Sequence, residues 1–299
     1  MRRLYLDSPS RQIYQATKSI LGQLKTQPPD ILYPLNNGWQ SILSKLFCLK
    51  HRTKLVLGGH SGPGWDDRIN LWLCPDLFIA FSGSQAHWAR KVNRHTPISV
   101  IPHGVDIDQF KPGTSPLKLD LQPPIFVTVS ALSVPGRAGE TAKNVDLTLK
   151  AVARLKQGSL LVLGGGPDEA RIDQLGQELL GPRRYARFSV SHNVIHRYYQ
   201  AADVFTLAPS TSEAFGLVYL EALACNLPVV TADDNLRREI IGPAGIFIKD
   251  PRDTQAYALG LHQAAITNWD NQPRRQAVKF SWDTVATQYE TTFTKSLAA

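Results

Sequence analysis

Two glutamates, Glu213 and Glu221, stand in an otherwise apolar stretch of the chain with seven residues between them. Gly216 follows the first glutamate, and because it has no side chain a ligand can approach its backbone closely. If a helix begins here, its first N–H groups and the positive end of its dipole favour a phosphate. A second carboxylate among apolar neighbours needs a partner, and paired ribose hydroxyls would serve. The alternative is a capped amphipathic helix with one exposed and one salt-bridged glutamate.

The residues around these glutamates predict a helix followed by a strand. Hydroxyl side chains at 210–212 can cap a helix start, and residues 217–224 are strong helix formers. Asn226 tolerates the left-handed conformation beyond a helix end, and Pro228 cannot continue a helix. The apolar and β-branched residues 229–231 are then typical of a short buried strand.

The rest of the chain alternates between short apolar runs and amphipathic segments, which predicts parallel sheets with helical crossovers. A length of 299 residues suggests two domains. Residues 110–124 are rich in Pro and Gly without periodicity, and we interpret them as the linker between the domains. The strands predicted before the linker are 31–35, 54–58, 77–81 and 98–102, and those predicted after it are 125–129, 160–163, 188–190, 203–207, 229–231 and 245–248.

The net charge of +8 is concentrated in the first part of the chain. Residues 1–110 contain 13 Lys and Arg against 7 Asp, a balance of +6, and no Glu. Such a basic half could contact anionic lipid headgroups, the phosphates of an acceptor or nucleic acid. A solvated basic face explains the same charge equally well.

Composition also bears on localisation and cofactors. No apolar run approaches the roughly 18 residues of a membrane-spanning helix, and the N-terminal residues lack the apolar core of a signal peptide. Cys48, Cys74 and Cys225 are widely spaced, so we expect reduced, buried thiols and no structural zinc. We therefore expect a cytoplasmic protein, with peripheral contact at the inner face of an anionic membrane left open.

Several motifs together resemble the retaining GT-B glycosyltransferases of the GT4 type. The two glutamates have the family's spacing, with Phe215 and Gly216 after the first and the run EALACNLPVV from the second. Residues 101–106 are similar to the family's Ile-Pro-Asn-Gly-Val-Asp, with His103 in place of Asn, and residues 164–167 match its Gly-x-Gly-Pro. The resemblance covers about residues 30–295.

The resemblance implies an α/β protein with the GT-B fold, in which two Rossmann-like parallel-sheet domains face a cleft. We expect an acceptor-side domain over residues 1–112, a nucleotide-sugar-binding domain over 113–275, and a terminal helix over 276–299 that crosses back to the first domain. Family members usually open with a further strand, Gly-rich loop, helix and strand. The first domain is therefore expected to be truncated, with an exposed strand edge. A natural short form, a fragment and a form completed by a partner chain would each explain this.

The resemblance also implies roles for individual residues. Glu213 would position the donor sugar, Lys143 would neutralise the pyrophosphate, and His60, in a Gly-rich turn of the first domain, would reach donor or acceptor. Ala131 stands where the family usually has an Arg, and Arg137 is the candidate substitute. The donor-binding residues implied are Glu221 at the ribose, with Phe215, Gly216, Leu217, Ser212, Gly164, Gly165, Gly166, Val194 and Arg137.

Three further polar patterns receive no catalytic role. Asp106 and Asp108 form an Asp-x-Asp pair, but such pairs are common and this one lies at the linker, so we reject it as a metal site. In the family a Lys and backbone dipoles replace a metal, so no metal cofactor is expected. Asp66 and Asp67 fit a solvated surface better than an acceptor site.

The arginine pair at 237–238 either binds an anionic acceptor or forms a salt-bridged helix start with Glu239. The glycines at 164–166 lack both the third glycine of a dinucleotide fingerprint and the acidic residue about 20 positions on, which argues against an NAD enzyme.

The function implied is retaining transfer of a hexose from a nucleotide sugar, of the GDP-mannose or UDP-glucose type, to a hydroxyl of a glycan or glycolipid. The alternative is an inactive sugar-nucleotide-binding remnant or partner subunit. Nucleic-acid binding rests only on the basic first half and is not expected. The oligomeric state is left open.

Overall fold

Two parallel β-sheets organise the part of the chain that the computed structural model describes, residues 8–113, 117–132, 143–209 and 215–298. The chain divides into a first unit, Met1–His103 with Val285–Ala299, and a second unit, Gly104–Thr284. The first unit ends earlier than the boundary expected at residue 112, and it includes the C-terminal residues from Val285 onward.

The sheet of the first unit consists of β1 (Ile31–Leu32), β2 (Lys54–Gly58), β3 (Leu77–Ala80) and β4 (Ile98–Val100), all parallel and in that order. Its helices are α1 (Ser8–Gln23), α2 (Trp39–His51), α3 (Trp65–Trp72) and α4 (Gly83–Val92). Leu55 and Leu57 of β2 and Phe78 and Ala80 of β3 share one core cluster with residues of all four helices. The four helices therefore cover the same face of the sheet, as expected when neighbouring strands are joined by right-handed crossovers.

The sheet of the second unit has six parallel strands in the order β10-β9-β8-β5-β6-β7. From β5 the chain passes outward to β6 and β7, then returns to β8 on the other side of β5, so the strand order reverses between β5 and β8. The strands are β5 (Ile125–Val129), β6 (Ser159–Leu163), β7 (Tyr185–Phe188), β8 (Val204–Leu207), β9 (Val229–Ala232) and β10 (Gly245–Ile248). The apolar residues of β6, β8 and β9 are buried on both faces, as is usual for the inner strands of parallel sheets.

The remaining helices are α5 (Val145–Ala153), α6 (Glu169–Leu180), α7 (His192–Tyr199), α8 (Leu217–Ala224), α9 (Asn235–Ile241), α10 (Thr254–Ile266), α11 (Gln272–Val278) and α12 (Trp282–Ala298). Residues 210–212, predicted to cap the helix that carries Glu221, lie outside the described residues. That helix, α8, begins at Leu217, and Gly216 occupies its N-cap with φ 96°. The strand predicted at 188–190 lies earlier, at Tyr185–Phe188.

All three cysteines are free, but Cys74 is exposed, contrary to the expectation of a buried thiol. Among the described residues, none of the helices is both long enough and apolar enough to cross a bilayer.

Candidate functional site

A cavity of about 460 Å³ lies where the strand order of the second unit reverses. Its described lining comes from the last residues of β5, β6 and β8, from the residues that follow β5, β6 and β7, and from the start of α8. In open parallel sheets, ligands bind in this kind of crevice outside the carboxyl ends of the strands. Representative lining residues are Ala131, Lys143, Gly165, Val190, Leu207 and Gly216.

The glycine turn after β6 is shaped by its packing against the end of β5. A Cβ at Gly164 (φ +145°) would lie 1.9 Å from the carbonyl oxygen of Ser130, and one at Gly166 (φ +149°) would lie 2.2 Å from that of Leu132. The backbone N–H of Leu132 donates to the carbonyl oxygen of Gly165 at 3.0 Å. Only glycine fits at the two outer positions, and Gly165 contributes to the cavity wall.

Glu221 lines a second cavity, of about 320 Å³, within the same unit. The residue is buried, and the Tyr199 hydroxyl donates a hydrogen bond to its Oε2 at 2.9 Å. The Nδ1 atom of His192 lies 3.9 Å from Oε1. His192 and Leu217 line both cavities, so the two cavities adjoin at these residues.

The electrostatics of this carboxylate follow from its burial. Burial raises the pKa of Glu221, and the hydrogen bond from Tyr199 and the neighbouring His192 partly oppose the rise. Burial and the adjacent carboxylate raise the pKa of Tyr199, so its hydroxyl stays protonated as a donor. Because Tyr199 engages Oε2, the remaining acceptor capacity of Glu221 is available to a ligand with hydroxyl donors.

His192 and Tyr199 are functional candidates that the sequence did not reveal. They stand at the two ends of α7, seven residues apart, so they share one face of that helix. Both side chains meet Glu221 from this face. A His four residues after the end of β7, with a Tyr seven positions on, was the available signal.

The structure brings several predicted residues to the adjoining cavities. Glu221 lines the smaller one and Leu217 lines both. The predicted residues that line the larger one also include Lys143, Gly164, Gly165 and Gly216.

Other predicted residues lie elsewhere. Phe215 is buried and Val194 is exposed, and neither contributes to the described lining of the two cavities. Gly166 packs against the loop after β5. Ser212, Glu213 and Arg137 lie outside the described residues.

In the first unit, His60 lies in the turn after β2 and is packed among aromatic rings. Its ring centroid is 4.9 Å from that of Phe81 and 6.2 Å from those of Tyr33 and His103. Its Nε2 is buried and has no hydrogen-bond partner within the described chain. Burial lowers the pKa of His60, so the imidazole is neutral at pH 7.

Asp67 lies buried beneath this turn, so the expectation of a solvated side chain is wrong for it. Its Oδ1 accepts a hydrogen bond from the backbone N–H of Ser61 at 3.3 Å, and its Oδ2 accepts one from Nε2 of Gln85 at 3.0 Å. Gln85 Nε2 also donates to the carbonyl oxygen of Gly59 at 2.7 Å. Asp67 and Gln85 therefore hold the backbone on both sides of His60.

The Asp-x-Asp pair at the start of the second unit has a local role. Oδ1 of Asp106 accepts the backbone N–H groups of Asp108 and Gln109, each at 2.9 Å, and so closes a turn. In the described ranges, no group of three or more His, Cys, Asp or Glu is arranged to hold a metal ion.

The arginine pair on α9 is engaged by neighbouring acids. Arg237 is buried, pairs with Asp234 and donates to the Tyr219 hydroxyl at 3.3 Å. Arg238 pairs with Asp233 at 2.5 Å. These contacts favour the salt-bridged helix start over acceptor binding.

A larger cavity, of about 720 Å³, lies between α10 and the amino ends of β5 and β6. Its described lining is mostly apolar and contains no carboxylate. We assign the site to the smaller cavities because they combine strand carboxyl ends, a glycine turn, a lysine and a buried carboxylate.

Comparison with known proteins agrees with this geometry. The family described as Glycosyl transferases group 1 matches residues 119–279. D-inositol 3-phosphate glycosyltransferases of Corynebacterium jeikeium and Corynebacterium urealyticum are each 31% identical, over 211 and 230 residues. These matches cover 63% and 69% of this chain but 49% and 51% of the relatives, so the chain spans about half of their length.

Solved structures share the fold. A glycosyltransferase from Rickettsia africae superposes with a TM-score of 0.78 at 17% identity, over 99% of this chain and 84% of its own. A sucrose-phosphate synthase from Thermosynechococcus elongatus superposes with a TM-score of 0.73 at 21% identity, over 96% of this chain and 80% of its own. HepE from Anabaena, in complex with UDP and glucose, superposes with a TM-score of 0.73 at 18% identity, over 95% of this chain and 82% of its own. The predicted GT-B fold is thereby confirmed, and with the family match over residues 119–279 the chain belongs to the glycosyl transferases group 1 family.

Proposed function

We propose that this protein is a retaining hexosyltransferase that uses a nucleotide sugar, of the UDP-glucose or GDP-mannose type, and glycosylates a hydroxyl of a glycan or glycolipid. One observation carries the proposal. Glu221 is a buried carboxylate with one oxygen bonded to Tyr199 and its remaining acceptor capacity at a cavity beside the strand switch point. A buried carboxylate there costs free energy unless it is paired, and a nucleoside offers two adjacent hydroxyls to pair with it.

The donor would occupy the two adjoining cavities. The ribose hydroxyls would donate to Glu221, while the diphosphate would lie at Gly216, at the N-terminus of α8, with Lys143 as its cationic neighbour. Backbone N–H groups and a lysine are the donors that a departing phosphate requires. Glu213 is proposed to position the sugar, and His60 to contact donor or acceptor.

The proposed reaction needs no side-chain base. The bond between the anomeric carbon and the phosphate oxygen breaks, and its electron pair leaves with the nucleoside diphosphate. The acceptor oxygen bonds to the anomeric carbon from the same face, and its proton passes to a phosphate oxygen. We also propose that no metal cofactor takes part, because Lys143 and the α8 N-terminus supply the positive charge.

The test is nucleotide binding with and without the ribose hydroxyl pair. UDP and GDP should raise the melting temperature of the chain, since a ligand at 100 times its dissociation constant adds about 2.7 kcal/mol of stability. The 2′,3′-dideoxy analogues should bind at least roughly tenfold more weakly. In Glu221→Gln the preference for nucleotides with both ribose hydroxyls should shrink. Asp253→Asn, which removes a carboxylate at the N-cap of α10, is the control and should keep that preference. Equal binding of both nucleotide series to the unaltered chain would refute the assignment of Glu221.

Transfer is tested separately from binding. UDP-glucose is a reasonable first donor, because the solved HepE complex contains UDP and glucose. The acceptor panel should include glycans, glycolipids and inositol phosphates, the last because the curated relatives are named for D-inositol 3-phosphate. The reaction is proposed to take place in the cytoplasm, where nucleotide sugars would be its co-substrates.

The inactive remnant is the second candidate, and Ala131 favours it. This residue lines the cavity at the position where the resemblance expects an arginine, so one phosphate contact of the family is absent there. Nucleotide binding without transfer or donor hydrolysis, across the full panel, would support the remnant.

A further inference from the structure

The outer surface of α2 and α3 exposes four large apolar side chains: Leu46 (59% exposed), Leu49 (68%), Trp65 (67%) and Trp72 (53%). We call these four residues the Trp–Leu face. The two tryptophan rings contact each other edge to face, with centroids 5.6 Å apart. Apolar side chains exposed together, unlike single ones, mark an interaction surface.

Hydrogen bonds hold the two helices of this face side by side. The Lys45 ammonium of α2 donates to the carbonyl oxygen of Cys74, just beyond α3, at 2.8 Å. At the other end, Asn70 of α3 donates to the side chain of Asn37, just before α2, at 2.6 Å. Both helices turn their inner residues to the same core cluster, so their outer residues face away from the sheet on the same side.

The charged side chains of the four helices in this unit are mostly basic. Within α1–α4, Asp66 and Asp67 are the only carboxylates, and Asp67 is buried. Arg68 lies between Trp65 and Trp72 on the same face of α3. The lysines and arginines of these four helices are Arg11, Lys18, Lys45, Lys50, Arg68, Arg90 and Lys91.

We propose that the Trp–Leu face docks on an anionic phospholipid bilayer. Tryptophan rings are favoured at the boundary between headgroups and acyl chains, where one end is apolar and the indole N–H stays hydrated. Leu46 and Leu49 supply apolar area on the neighbouring helix, and the cations of these helices attract anionic headgroups. A second copy of this chain would bring the same positive charge against itself, which disfavours self-association. Docking requires no catalysis and goes beyond the proposed reaction.

The experiment is sedimentation of the full chain with lipid vesicles. The protein should bind vesicles that contain phosphatidylglycerol, bind phosphatidylcholine vesicles at least roughly tenfold more weakly, and be released by salt. The double variant Trp65→Ser/Trp72→Ser should lose at least roughly tenfold in affinity for the anionic vesicles. Arg68→Glu should weaken binding at low salt, with the deficit shrinking as salt is added.

Two controls distinguish binding through this face from non-specific binding. Leu259→Ser, at an equally exposed position (62%) on α10 of the second unit, should bind like the unaltered protein. Lipids with brominated acyl chains should quench tryptophan fluorescence, and Trp65→Phe/Trp72→Phe should remove most of that quenching although four other tryptophans remain.

Several outcomes would overturn the proposal. These are no binding to anionic vesicles, equal binding to both vesicle types, and equal loss in Leu259→Ser and the tryptophan double variant. A concentration-dependent dimer abolished by the tryptophan substitutions would reassign the face to self-association. Salt-dependent DNA binding that Arg68→Glu abolishes would reassign it to nucleic acid.

Discussion

Replacing Asp67 by Asn should change how the stability of the first unit depends on pH. Asp67 is buried under the turn that carries His60, and burial raises its pKa to about 7, although hydrogen bonds from Ser61 and Gln85 partly oppose the rise. An aspartate in the unfolded chain has a pKa near 3.9. The folded state therefore keeps its proton over a pH range in which the unfolded state has lost it.

The sign and size of the pH dependence of the free energy of unfolding follow from this difference in pKa. Below about pH 4 the carboxyl is protonated in both states and pH has no effect through this group. Between about pH 4 and pH 7 only the unfolded state has released its proton, so the free energy of unfolding falls by about 1.4 kcal/mol per pH unit. The loss totals about 4 kcal/mol and is complete above the folded-state pKa. Because an asparagine side chain cannot ionise, Asp67→Asn should gain about 4 kcal/mol relative to the unaltered protein over this range.

Hydrogen exchange of the amides of β2 and β3 in graded urea measures this free energy for the first unit alone. Asp66→Asn is the matched control, because it removes the neighbouring, half-buried carboxylate on the same helix turn. A difference between Asp67→Asn and the unaltered protein that stays within about 1 kcal/mol from pH 4 to pH 8 would refute the burial argument.

Three further perturbations test the second unit. Tyr199→Phe should destabilise the protein by about 2 kcal/mol, because it leaves an oxygen of buried Glu221 without its donor, and it should weaken UDP binding; unchanged melting and unchanged UDP affinity would contradict this. Gly164→Ala should cost roughly 3 kcal/mol, since its Cβ would lie 1.9 Å from a backbone carbonyl oxygen. Gly181→Ala, with φ +72° and ψ 177° but open space around it, should cost less, about 2 kcal/mol, when both variants are measured by hydrogen exchange of the β5 and β6 amides in graded urea. Lys143→Ala should weaken UDP binding roughly tenfold but leave uridine binding nearly unchanged, as measured by calorimetry, and equal losses for both ligands would argue against a phosphate contact.

Apolar periodicity was sufficient to predict the parallel α/β architecture, because strands buried on both faces have nearly continuous apolar sequences. Apolar periodicity did not predict α3, because several residues of that helix face opposite to the usual amphipathic pattern. Asp67 and Asn70 face inward and are buried, whereas Trp65 and Trp72 face outward. The inward polar groups hydrogen-bond to backbone and side chains of neighbouring turns, and no local pattern encodes those partners.

At the candidate site, the sequence identified Glu221 as a buried carboxylate that needs a partner. It could not identify Tyr199, because the pairing joins α7 to α8 and depends on how both helices pack. It could not identify His192 for the same reason. A carboxylate in an apolar helix therefore indicates that it has a hydrogen-bonding partner. Only the packing shows that the protein itself supplies one such partner, Tyr199.

The glycines after β6 show a second limit of sequence reasoning. A missing side chain was interpreted as room for a nucleotide, but Gly164 and Gly166 leave room for the backbone at the end of β5. Both purposes require the same residue, so the sequence cannot distinguish them. Gly164 and Gly165 both line the cavity, but only at Gly165 would a Cβ meet the flexible side-chain ends of Glu169 and Ser189 rather than backbone. A substitution at Gly165 should therefore affect nucleotide binding more than folding, whereas substitutions on either side of it should affect folding first.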